Sequence, residues 1–103
     1  MSAIGFITCK DSNEAKKIAT VLLEKKLIAC ANIVNGIESI YRWKGNIETT
    51  TEVLLILKTN SQKIAMIIPE IEKNQSHQAP AIEFVNMDHT APKTQDWINT
   101  ETK

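Results

Sequence analysis

Cys9, Cys30, His77 and His89 carry the side chains of this 103-residue chain best suited to nucleophilic attack or soft-metal ligation. A thiolate at Cys30 could do either. It stands, however, at the start of an apolar strand without a nearby histidine, so its tendency to be buried favours a core role. Cys9, at the end of another strand, reads the same way. His77 and His89 lie in loop-like sequence and lack the i, i+4 spacing that brings two imidazoles to one helical face. Both read as solvated loop histidines, with Asp88 able at most to orient His89. Met66 and Met87 sit within apolar stretches and read as core fillers. Gly5, Gly36 and Gly45 are isolated and form no phosphate cradle. Ser39, Ser61 and Ser76 lack the context of an activated hydroxyl, and no carboxylate pair is set by spacing for acid–base work. Catalysis is therefore not expected. Tyr41 and Trp43, two apart on a strand, share a side, where they line either a ligand cleft or an interface between chains; aromatic enrichment at interfaces favours the second.

Composition narrows the partners. Twelve Lys and Arg balance twelve Asp and Glu, so no summed positive field draws the chain to nucleic acid or anionic lipid. No stretch reaches the ~20 apolar residues of a membrane span, and the first ten residues lack the pattern of a secretory signal. Two cysteines without C-x-x-C spacing fit reduced thiols, and a cytoplasmic location is expected. One domain over residues 1–103 is expected, with a modest core that self-association would supplement.

The elements that position these residues follow from periodicity. Residues 3–8 read as a first strand. Asp11 and Glu14 have capping-box spacing, and Ala15, Ile18, Ala19, Leu22 and Leu23 make an apolar stripe, which predicts a helix over about residues 12–26. Lys25 and Lys26 suit its C-terminal end. Residues 29–43 read as extended, interrupted at Asn35-Gly36. That dipeptide marks a hairpin turn or a bulge, and residue type alone favours the hairpin. A turn at Lys44-Gly45-Asn46 leads to a strand over residues 47–58. Ser61 is placed to cap a second helix, which Pro69 should kink or split. A strand from Ile82 to Met87 and a closing helix from Pro92 complete the order β-α-β-β-α-β plus a tail helix. With right-handed crossovers this is an α+β, ferredoxin-like split β-α-β sandwich whose helices share one face of the sheet. The other face and the long β hairpin would then need sister subunits to cover them.

Four stretches, taken together, carry a family resemblance. They are Asp11-x-x-x-Ala15, the run from Leu27 to Ile33, Gly36-Ile37-x-Ser39-x-Tyr41-x-Trp43-x-Gly45-x-Ile47, and Glu52-Val53-Leu54-Leu55-x-x-Lys58-Thr59. The chain resembles the CutA family of divalent-cation tolerance proteins. The resemblance implies a non-enzymatic homotrimer, PII-like in shape, associated with the response to metal ions. It also implies that Asn35-Gly36 is a bend within one long strand rather than a hairpin. The matching residues Cys30, Tyr41, Trp43, Glu52 and Lys58 are the expected lining of an intersubunit cleft for a small-molecule ligand. An alternative within the same resemblance is a sensor that binds an anionic metabolite in those clefts, with Lys58 supplying charge. The family's His-Pro-Tyr-Glu-x-Pro-Glu run is replaced here by Gln75, Ser76, His77, Gln78, Ala79, Pro80 and Ala81. The copper-ligand positions of some members fall on Ile7, Asn74 and Gln75, which offer neither thiolate nor imidazole, so copper binding does not carry over.

Overall fold

A computed structural model describes residues 1–77 and 80–103. Gln78 and Ala79, two positions of the degenerate run, lie outside the described residues. The elements are β1 (Ser2–Cys9), α1 (Ser12–Glu24), β2 (Cys30–Trp43), β3 (Asn46–Asn60), a 3-10 turn (Ser61–Lys63), α2 (Ile64–Asn74), β4 (Ile82–Asn86) and α3 (Pro92–Glu101). The strands form one antiparallel sheet in the order β2-β3-β1-β4, the ferredoxin-like arrangement expected.

Alternation along the strands decides which side of the sheet is dry. Ile7 and Cys9 of β1 and Val53, Leu55 and Leu57 of β3 are buried with Ala15, Ile18, Ala19 and Leu22 of α1 and Ile67 and Ile71 of α2 in one core cluster. Ile33 of β2 and Phe84 of β4 pack against its margins. Thr59 joins this side without leaving a polar group unsatisfied, because its Oγ1 donates to the Leu27 carbonyl at 2.6 Å. The opposite face has no such cover: Val34 and Val85 are 43% and 53% exposed. Beyond the core, the far halves of β2 and β3 run on as an arm in which Ile40 and Ile47 are 71% and 70% exposed. The molecule accordingly measures 44 × 26 × 23 Å.

Several local expectations hold and others are corrected. Asp11 Oδ1 accepts the Glu14 amide at 2.8 Å, the cap expected for α1. The helix stops at Glu24, and Lys26 follows it with φ of 58°. Lys44 and Gly45, with φ of 49° and 83°, make the β2–β3 turn. Asn35-Gly36 is not a hairpin, as the residues alone favoured. β2 runs through it with a register shift between Val34 and Ile37, and Gly36 at φ 71° absorbs the extra residue of a bulge. Ser61 does not cap the second helix: Asn60, whose side chain accepts the Gln62 amide at 3.2 Å, caps the 3-10 turn ahead of it, and α2 begins after Lys63 with no side-chain cap. Pro69 neither splits nor interrupts α2. It and Ala65, whose carbonyl loses the Pro69 amide, are both exposed. Met66 is exposed rather than a core filler, because α2 turns Ile67 and Ile71 inward instead.

Candidate functional site

The end of β1 is where separate parts of the chain meet. Glu14, buried in the first turn of α1, accepts the Lys10 amide on Oε2 and the Ser76 amide on Oε1, both at 3.0 Å. The glutamate of the expected capping box thus reaches one residue beyond the cap and also holds the segment following α2. Gln75 fastens that segment a second time, its Nε2 donating to the Thr8 carbonyl at 2.6 Å. Burial alone would raise the Glu14 pKa, but these amide donors outweigh it and hold the carboxyl below its ordinary value.

So anchored, the segment carries His77 onto the sheet. His77 Nε2 lies 3.5 Å from Glu52 Oε2, and this nitrogen is buried without a hydrogen-bond partner among the described residues. Glu52 faces away from the helices, in the parity of Leu54 and Ile56, and is itself buried. Past the bulge, Ser39, Tyr41 and Trp43 pair with Thr50, Glu48 and Asn46 on this same face. The result is a cleft of about 610 Å³ lined by Thr8, Ser39, Tyr41, Arg42, Trp43, Glu52, Ser76, His77 and Ala81. Lys44 Nζ sits 5.8 Å from the centroid of the Trp43 ring at the mouth of the arm.

Of the five residues expected to line a cleft, Tyr41, Trp43 and Glu52 are brought together. Cys30 and Lys58 are not. They are direct cross-strand partners on the same face, but six positions along β3 from Glu52, about 20 Å away at the usual rise of a strand. Cys30 is half-buried outside the core, contrary to its expected burial, because β2 is an edge strand and its first residue faces away from the helices. Its Sγ is 3.7 Å from Asn32 Oδ1. Cys9 is a core residue, its thiol pushed up to about 12 by burial and by the nearby Glu14, Glu52 and Asp11 carboxylates. His77 was expected to be a solvated loop histidine. Its place in the cleft depends on Glu52, distant in sequence, and the only local signal is an imidazole where the family run has tyrosine.

The three copper-position residues do not fit a copper ion. Ile7 is fully buried in the core, Asn74 donates to the Glu70 carbonyl at 2.8 Å, and the Gln75 amide is engaged by Thr8. Among the described residues no group of three or more His, Cys, Asp or Glu side chains is placed to hold a metal ion. Nor is any described helix long and apolar enough to cross a membrane.

Comparison with known proteins covers nearly the whole chain. The family model for the CutA1 divalent ion tolerance protein matches residues 3–101. A curated relative, the divalent-cation tolerance protein CutA of Archaeoglobus fulgidus, is 39% identical over 91% of this chain and 91% of its own length. The solved structure of the periplasmic divalent cation tolerance protein CutA from the same organism superposes with a TM-score of 0.96 at 37% identity, covering 100% of both chains. The chloroplastic CutA of Arabidopsis thaliana is 29% identical over 99% of this chain, which spans only 56% of that relative's length.

Proposed function

This chain belongs to the CutA1 divalent ion tolerance family, and from that premise we infer that it works as a non-enzymatic homotrimer taking a small ligand at clefts built around Tyr41, Trp43 and Glu52. The observation that carries this reading is the apolar surface left uncovered by the chain's own helices. Phe6, Val34 and Val85 on the open face and Ile40 and Ile47 on the arm are all exposed. Large exposed apolar patches mark interaction sites. The arm is greasy on both sides, since Ile40 and Ile47 point away from Tyr41 and Trp43, which suits a ribbon that wraps a neighbouring copy. In such an assembly, Cys30 and Lys58 of one chain belong to the boundary rather than to the cleft of the isolated subunit.

Reduced thiols at Cys9 and Cys30 support a cytoplasmic location. The sensor reading draws on one feature of its own. Lys58 is half-buried on the open face and has no carboxylate partner among the described residues, so an anion at the subunit boundary would satisfy it.

Sedimentation equilibrium at micromolar concentration tests the assembly. The expected mass is three times that of the 11.5 kDa chain; a well-folded monomer overturns the reading.

A further inference from the structure

We propose that Asn35 is a site of spontaneous covalent modification, where loss of its side-chain amide to the Gly36 backbone nitrogen turns the bulge of β2 into a one-way, age-dependent release for the arm. The inference goes beyond the cleft and assembly reading above and does not rest on it.

The chemistry follows from the two residue types. The Gly36 nitrogen attacks Cγ of Asn35 and closes a five-membered succinimide ring. The bond from Cγ to the side-chain nitrogen breaks, water carries the Gly36 proton to that nitrogen, and ammonia leaves. A second water then opens the ring at one of its two carbonyls and returns a proton to the Gly36 nitrogen. Opening at Cγ leaves an ordinary aspartyl residue, and opening at the main-chain carbonyl leaves an isoaspartyl one. The net change is one water consumed and one ammonia released, with nothing oxidised or reduced. A following side chain crowds the ring closure, so glycine is the successor that permits it best. Asn35 is the only asparagine of the chain that glycine follows.

The structure leaves this dipeptide open to the reaction. A regular ladder would hold the backbone extended and keep the Gly36 nitrogen from turning toward the side chain. Here Val34 pairs with Leu54 and Ile37 with Glu52, so Asn35 and Gly36 together face Val53 alone. The surplus residue stands outside the ladder. β2 is also an edge strand, with no second ladder within the chain to restrain it. Both residues are exposed to water, and the space where a Gly36 Cβ would stand is empty to 4 Å. Asn60, followed by the small Ser61, is the opposite case. Its side chain accepts the Gln62 amide and donates to Asn99 Oδ1 at 2.9 Å, while the Ser61 nitrogen is committed to the Met1 carbonyl at 2.8 Å.

The consequence lies in where the product forms. An isoaspartyl residue adds one carbon to the main chain and a carboxylate beside it, at the bulge on which the register of residues 37–43 depends. The arm then loses its pairing and carries Tyr41 and Trp43 out of the cleft, while Leu55 and Leu57 stay packed under the helices.

Incubation of the intact protein in neutral and mildly alkaline buffer, with peptide mapping of samples withdrawn over time, tests the site. A gain of about 1 Da at Asn35 is expected, in two separable products. It should appear about ten-fold or more faster than any change at Asn60 and accelerate with pH. Asn35→Gln, whose longer side chain closes the ring poorly, should resist ageing at this position. Because Asn35 and Asn60 are compared within one wild-type chain, the test stands even where a variant does not fold. Hydrogen exchange of the aged sample should show protection lost over residues 37–43 in proportion to the isoaspartyl fraction and kept at Leu55 and Leu57. An Asn35 that lasts as long as Asn60 in the folded protein, or that changes only in denaturant, overturns the proposal. Modification with unaltered exchange overturns the release of the arm.

Discussion

Leu55 and Leu57 of β3 are fully buried, whereas Ile47, earlier on the same strand, is 70% exposed. The side chains are alike and the backbone is equally extended. What differs is the neighbour: α1 and α2 roof the C-terminal half of the strand, and the core cluster they form includes no arm residue among the described residues. Apolar content in a strand therefore reports a need for cover and does not say whether the chain itself supplies it.

Substitutions should separate the two halves of β3 sharply. Leu57→Ala is expected to lower stability by about 2–5 kcal/mol through lost burial and the cavity left behind. Ile47→Ala, measured by the same denaturant titration at concentrations too low for association, should stay within ~0.5 kcal/mol. Equal losses would show that the arm is integrated into the subunit core after all.

Gly5→Ala comes next. A Cβ at this position would stand 2.5 Å from the Phe84 ring, which lies across β1 from the neighbouring strand. Overpacking of this kind costs about 1–3 kcal/mol, read as a fall in the denaturation midpoint. Gly36, by contrast, has open space around it, so any cost of an alanine there comes from its positive φ alone.

Glu14 gives the smallest effect, visible as a slope. Its folded carboxyl is held below the ordinary value of 4.5, so the unfolded chain binds the proton more tightly. The stabilisation is complete above that value and is lost as pH falls through the depressed folded one. Stability profiles across the acid range should be flatter for Glu14→Gln than for wild type; identical profiles would mean that the Lys10 and Ser76 amides contribute nothing net.

The same contrast explains what could be read from residues alone. Features set by near neighbours were legible: the Asp11 cap, the Lys44-Gly45 turn, Pro92 opening α3, and the stripe from Ala15 to Leu22. Choices between two locally equivalent options were not. Asn35-Gly36 satisfies a hairpin or a bulge, and only the pairing of β2 with β3 decides. Cys30 is hydrophobic enough for the core, but its parity on an edge strand faces it outward. His77 resembled any loop histidine until the segment after α2 was tied to Glu14 and Thr8. Of the residues matched through the family resemblance, Tyr41, Trp43 and Glu52 line one cleft of the chain, while Cys30 and Lys58 lie at the far end of the sheet.

The single surplus residue at Gly36 acts as a parity switch for everything beyond it. Ahead of it, even-numbered positions of β2 look toward Leu54 and Ile56; after it, odd-numbered ones look toward Glu52 and Thr50. Were β2 to pair straight through that glycine without a bulge, both rings would be sent to the back and Ile40 presented in their stead. The make-up of the recess is thus governed by a residue that never touches it.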